Sequence, residues 1–255
     1  MRLYFQKLGS GFPVILLHGF LGSSDNWRGM SRRFAEHFTV YALDLRNHGQ
    51  SLHSDIMDYP AMAADVCEFL DSEGIASAHL LGHSMGGKVA MCCANEYPER
   101  LEKLVVVDIA AHAYAAVHRP ILNAMATLDL KAVRSFGDAD AALARDIADS
   151  ALRQFLVKNL ARQNDGTFTW KIGLDEISAN YDSLGEAVRL TKIFPSPACF
   201  IRGARSRYVN DADMEELQRY FSNSEFHTVE KAGHWVHIDA PEEFFTIVMN
   251  FLSPK

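Results

Sequence analysis

Several features are missing from this chain, and each absence narrows what it does. No apolar stretch approaches the roughly 18 residues of a transmembrane helix, so no integral membrane segment is expected. The opening residues, Met1-Arg2-Leu3-Tyr4-Phe5-Gln6-Lys7, lack a long apolar segment, and no secretory signal is expected. Runs of Lys and Arg are absent, and the formal net charge is -7. Nucleic acid and anionic membrane surfaces are therefore not expected as partners. Cysteine is scarce: Cys67, Cys92, Cys93 and Cys199 lie in apolar patterns without metal-type spacing. They read as reduced, buried small side chains, which suits a cytoplasmic protein and argues against a disulfide framework. Internal repeats and low-complexity segments are also missing. What remains is 255 residues, 48% of them hydrophobic, an ordinary composition for one soluble domain or a core with a smaller addition.

The most informative stretch is Gly82-His83-Ser84-Met85-Gly86. It follows an apolar run, Ala78-His79-Leu80-Leu81, and precedes a helical pattern that stops at Pro98. A G-x-S-x-G sequence between a buried strand and a helix forms a tight elbow. The small residues let strand and helix approach, and the serine hydroxyl is pushed outward. Ser84 is the candidate nucleophile. The Met85 N–H, at a helix N-terminus, is a candidate oxyanion donor.

Apolar runs at Pro13–Leu17, Phe38–Leu43, Leu104–Val107, Ala198–Arg202 and Phe226–Val229 alternate with helical patterns. This rhythm predicts an α/β protein: a mostly parallel central sheet with helices on both faces. Reactive groups then collect at the carboxyl ends of the strands. His18-Gly19-Phe20 leaves the first such strand, and the Phe20 N–H is the candidate second oxyanion donor. Asp44 and Arg46 follow the next strand and are expected to pair and brace its loop. Among 11 histidines, His234 lies behind Gly233 after the last strand and is the candidate base; His237 is its local rival.

Between Ala111 and Phe194 no core-strand run appears. Helical patterns occupy His118–Val133 and Ala139–Arg162, a turn at Asp165-Gly166 follows, and a further helix is predicted around Leu174–Leu184. Residues 111–194 are therefore expected to form a helical cap inserted into a core made of residues 1–110 and 195–255. Leu21, Trp170 and Trp235, with Met and Phe residues of the cap, are candidates for an apolar acyl pocket.

Taken together, His18-Gly19-Phe20, Asp44-Leu45-Arg46-Asn47-His48-Gly49, Gly82-His83-Ser84-Met85-Gly86-Gly87, Val107-Asp108-Ile109-Ala110 and Ala232-Gly233-His234-Trp235-Val236-His237 resemble the α/β-hydrolase fold family. Within it they are similar to the YbfF-type bacterial esterases. The resemblance spans nearly the whole chain and is weakest in the cap. It implies a cofactor-free, metal-free serine esterase that acts on small-molecule acyl esters or thioesters through an acyl-enzyme. One position departs from most of the fold family. Where the acid usually stands, after Gly203, this chain has Ser206. Asp108, at the end of the strand after the serine strand, is a substitute at the same rim. Asp211 and Asp213 are nearer in sequence but open a helix. The YbfF-type resemblance implies Asp108. A C–C bond hydrolase, with Arg46, Arg202 or Arg205 serving an acidic substrate, and a ligand receptor with a vestigial triad are the alternatives. Oligomeric state is not legible.

Overall fold

The computed structural model describes residues 1–253. Its strands are β1 (Phe5–Leu8), β2 (Pro13–Leu17), β3 (Thr39–Leu43), β4 (Ala78–His83), β5 (Leu101–Val107), β6 (Leu160–Arg162), β7 (Phe168–Trp170), β8 (Ala198–Gly203) and β9 (Ser224–Val229). Seven of them form one sheet in the order β1-β3-β2-β4-β5-β8-β9. Only the β1–β3 pairing is antiparallel; the other pairings of this sheet are parallel. The α/β sequence rhythm predicted this architecture.

Each strand's alternation divides the core in two. Ile15, Leu17, Leu80, Leu104, Val106 and Phe200 pack with α2 (Tyr59–Ser72) and α3 (Met85–Glu96). Val14, Leu16, Leu81, Val105, Val107 and Ile201 pack on the opposite face with α1 (Arg28–Phe34) and α11 (Pro241–Leu252). Helices on both faces explain why these strands read as near-continuous apolar runs. The chain leaves β2 toward β3 on one side and returns to β4 on the other, so a crevice opens between the carboxyl ends of β2 and β4. Open α/β sheets bind ligands at such a switch point. Helix starts follow local chemistry. Asp58 caps α2 by accepting the Ala61 N–H at 2.8 Å, with Pro60 in the first turn.

Residues 111–194 contribute α4 (Arg119–Ala126), α5 (Phe136–Leu143), α6 (Ser150–Val157), the β6–β7 hairpin, α7 (Leu174–Ala179) and α8 (Tyr181–Gly185). The sequence predicted longer helices here. The run from Ala139 to Arg162 breaks because the Asp149 carboxylate accepts the N–H groups of Ala151 and Leu152 and starts a new helix. Arg153 meanwhile satisfies the carbonyls of Ile147 and Ala148, so the break leaves few groups unpaired. The pattern from His118 stops at Ala126, where the Thr127 hydroxyl bonds back to the Asn123 carbonyl. At Asn180 the side chain donates to the carbonyls of Glu176 and Asp55, separating α7 from α8. The chain closes through α9 (Asp211–Tyr220), a short α10 (Val236–Asp239) and α11.

Candidate active site

Ser84 sits between β4 and α3 with φ 53° and ψ -119°. That backbone is disfavoured for an L-residue and costs about 1–3 kcal/mol. It persists because neighbours hold it: the Ser84 N–H donates to the Val107 carbonyl at 2.9 Å. Glycine is required at position 82, since a Cβ there would overlap the Gly86 carbonyl. Two more site residues, Leu21 (φ 57°) and Asp108 (φ 51°), share the left-handed region.

Asp108 directly follows β5, and its N–H donates to the Ile201 carbonyl of β8 at 2.8 Å. Its side chain is fully buried. Oδ1 accepts the Gly203 N–H at 2.9 Å. Oδ2 accepts the Ser206 hydroxyl and faces His234 Nδ1 at 2.7 Å. On the other side of the ring, His234 Nε2 lies 3.0 Å from Ser84 Oγ. Serine, imidazole and carboxylate thus form one hydrogen-bonded line across the ends of β4, β5 and the loop after β9. Such a line draws the serine proton toward the imidazole and holds the resulting cation beside a carboxylate.

The other acid and base candidates lie elsewhere. Asp211 pairs with Arg202 at 2.6 Å. Asp213 accepts the Asn210 N–H at 2.8 Å in a capping box. His237, in α10, stacks on Trp27 with ring centroids 4.5 Å apart. Burial there pushes its pKa down to about 3. Asp44 and Arg46 do not pair, contrary to the sequence expectation. Asp44 accepts the N–H groups of Ser24 (2.6 Å) and Gln50 (2.8 Å). Arg46 instead reaches across to Asp65 at 2.6 Å and to the carbonyls of Ile56 and Ala61. The longer reach satisfies the guanidinium fork in a buried place that its near neighbour does not serve. Both groups brace loops.

Phe20 and Met85 flank the serine from the β2 loop and the start of α3. Among the described residues neither backbone N–H has a hydrogen-bond partner. Neutral histidines brace the loop that carries Phe20. His18 Nε2 accepts the Leu45 N–H at 3.0 Å while Nδ1 donates to the Gly19 carbonyl. His48 Nε2 accepts the Leu21 N–H at 3.1 Å. Burial lowers these two imidazoles to about 4 and about 3, which keeps the accepting nitrogens unprotonated.

A cavity of about 1020 Å³ opens at Ser84. Its walls include Phe20, Leu21, Ile121, Leu152, Phe155, Leu156 and Trp235, with His118, Asn159 and Tyr208 as polar members. Of the three residues expected in an acyl pocket, Leu21 and Trp235 line this cavity. Trp170 does not line this cavity; on that side its register partner Leu160 supplies the wall. Phe155 meets Trp235 edge to face at 4.7 Å, so residues from 111–194 and from the base loop close the cavity together.

Sequence reasoning missed several supports. Tyr208 stacks on His234 at 4.0 Å and 22°. His83, whose pKa burial drives well below the usual range, donates from Nε2 to the His234 carbonyl at 2.8 Å. Asn159 donates from Nδ2 to the Leu21 carbonyl at 2.9 Å. Only Ser206 left a signal, as a hydroxyl at the position where a carboxylate was expected.

A profile of the alpha/beta hydrolase family matches residues 14–247. An sn-1-specific diacylglycerol lipase of Xenopus tropicalis is 38% identical over 95% of this chain and 78% of its own length. Esterase YbfF of Escherichia coli is 32% identical over 97% of this chain and 96% of its own. The solved structure of a marine microorganism esterase superposes with a TM-score of 0.95 at 36% identity, covering 98% of this chain and 99% of that one. The chain belongs to the alpha/beta hydrolase family.

Proposed function

We propose that this member of the alpha/beta hydrolase family is a serine carboxylesterase that cleaves acyl esters through an acyl-enzyme. The observation that carries the reading is the unbroken line Ser84 Oγ–His234 Nε2 at 3.0 Å and His234 Nδ1–Asp108 Oδ2 at 2.7 Å. Ser84 Oγ attacks the ester carbonyl as its proton passes to His234 Nε2. Asp108 orients the ring and stabilises the imidazolium without taking the proton. The free N–H groups of Phe20 and Met85 receive the oxyanion. His234 then gives its proton to the departing alcohol. A water, deprotonated by His234, cleaves the acyl-enzyme and restores Ser84.

Residues 111–194 act as a cap over this chemistry, and the wall they share with Leu21 and Trp235 supports an acyl-binding role. At about 1020 Å³ the cavity reaches the upper end of ordinary ligand sites, roughly 300–1,000 Å³. That size extends the substrate range beyond short acyl groups, in keeping with the lipase named among the relatives. Thioesters fit the same mechanism. A C–C bond hydrolase with an acidic substrate gains no support from Arg46, Arg202 and Arg205, which do not line the cavity; of the cations that do line it, Arg28 is paired with Asp25, Lys171 donates to the Lys158 carbonyl, and Lys158 is exposed. No described helix is long and apolar enough to cross a membrane; the four free, buried cysteines suit a cytoplasmic location.

The test is fluorophosphonate labelling, followed by an acyl-chain-length series of activated esters and thioesters. Ser84→Ala should lose both labelling and turnover. Labelling that persists at another residue, or wild-type protein that binds esters without hydrolysing them, would overturn the proposal.

A further inference from the structure

The cysteine spacing shows no metal motif along the chain, but the sheet brings distant residues together. Among the described residues β9 is the last strand and pairs only with β8. Their register sets Cys199 directly opposite Glu225. His227, two residues on, projects from the same face of β9 as Glu225. Cys199 Sγ, a Glu225 carboxylate oxygen and a His227 ring nitrogen lie within 4.8 Å of one another. His227 Nε2 is already 3.0 Å from Glu225 Oε1.

The burial of the three groups is graded. Cys199 is fully buried, whereas the Glu225 and His227 side chains are 46% and 36% exposed. A sulfur donor from the core side of the sheet therefore lies beside a nitrogen and an oxygen donor at its solvent margin. The donor set selects the metal. Calcium and magnesium favour all-oxygen shells. Thiolate with imidazole and carboxylate suits zinc, with bonds of about 2.3, 2.0 and 2.0–2.2 Å. Tetrahedral ligation at those lengths puts donor atoms roughly 3.3–3.7 Å apart. The site therefore requires the exposed Glu225 and His227 side chains to move toward the buried Cys199 sulfur.

We propose that Cys199, Glu225 and His227 form a zinc-binding site at the β8–β9 edge, separate from the catalytic cavity, with its fourth position open to water. Binding converts the Cys199 thiol to a zinc thiolate and releases its proton to solvent. The ion ties the edge strand to β8 and stabilises the folded chain by mass action.

The experiment is a Co²⁺ titration of the full-length, EDTA-treated protein, followed by Zn²⁺ competition. The expected result is one equivalent bound per chain with a thiolate-to-cobalt charge-transfer band in the near ultraviolet. Zinc displaces the cobalt, because tetrahedral ligation costs Co²⁺ ligand-field stabilisation that d¹⁰ Zn²⁺ does not have to lose, and raises the thermal midpoint. Cys199→Ser removes the band, and Glu225→Gln and His227→Gln each weaken binding by about tenfold or more. Because Cys199 is buried, its variant is checked by circular dichroism. The two exposed variants decide the matter if it fails to fold. Absence of the band, or unchanged affinity in both Glu225→Gln and His227→Gln, overturns the site; in the second case another of the four cysteines holds the metal.

Discussion

Asp108 accepts from the Gly203 N–H and the Ser206 hydroxyl while facing His234 Nδ1. One buried carboxylate makes all three contacts. Asp108→Asn keeps the shape but replaces one carboxylate oxygen with a donor, which then opposes either the Gly203 N–H at the Oδ1 position or the His234 Nδ1–H at the Oδ2 position. Turnover should fall by about 10⁴-fold, the scale seen when such an acid becomes an amide. Asp211→Asn, which touches only the Arg202 pair, should leave turnover near the wild-type level. Steady-state kinetics on one activated ester compares the two, and a crippled Asp211→Asn would move the acid assignment. Asn159 offers a finer test. Its Nδ2 holds the carbonyl of Leu21, the left-handed residue after Phe20. Asn159→Asp keeps the volume and removes the donor. The oxyanion loop then loses a support, so kcat should drop about tenfold with KM nearly unchanged, the pattern of an interaction felt in the transition state. A change confined to KM would place Asn159 in substrate binding instead.

At the scale of elements, the strands were legible because both faces of the sheet are covered. Pro13–Leu17 and Leu104–Val107 read as apolar runs for that physical reason, and the Gly82–Gly86 elbow follows from close packing of β4 on α3. The proposed acid was harder, because Asp108 meets the serine strand through pairing of β5 with β4 and meets Gly203 and Ser206 through pairing of β5 with β8. Ser206 and Tyr208 are joined to it by tertiary contact alone. Residues 111–194 were legible as helical but not as five short helices with a hairpin; the breaks depend on Asp149, Thr127 and Asn180 satisfying backbone groups locally. The α6–base-loop contact of Phe155 and Trp235 is likewise invisible in sequence. Edge-to-face pairs contribute about 0.5–1.5 kcal/mol beyond burial. Phe155→Ala should therefore raise KM for long-chain esters by about threefold to tenfold while sparing short ones, read from a chain-length series. A uniform loss across chain lengths would mean that Phe155 supports the base loop rather than the acyl chain.

For the whole molecule, buried neutral histidines couple the site to acid stability. Desolvation holds His18 and His79 at about 4, and His48 and His237 at about 3, against an ordinary value of 6.5. An unfolded imidazole takes up its proton as pH falls through 6.5; the folded one stays neutral until 3–4. In that window the unfolded chain binds more protons, so the stability these groups contribute is complete above 6.5 and is lost as pH falls. Between pH 6.5 and 5 most carboxylates, with ordinary values near 3.9 and 4.3, have not yet titrated, so the histidines dominate. With His83, which burial also drives well below its ordinary value, unfolding at pH 5 should take up about four or five protons, and the urea midpoint should fall steadily from pH 7 to 5. His237→Phe, which keeps a ring against Trp27, should remove about one proton from that uptake. The loops are affected first, because protonated His18 and His48 no longer accept the N–H groups of Leu45 and Leu21. Acid should therefore loosen the Phe20 loop and reduce activity before the fold is lost, with loop amide exchange rising ahead of the global transition. A urea midpoint that stays flat from pH 7 to 5 would mean that these imidazoles titrate normally and that the loops are not held by their neutral forms.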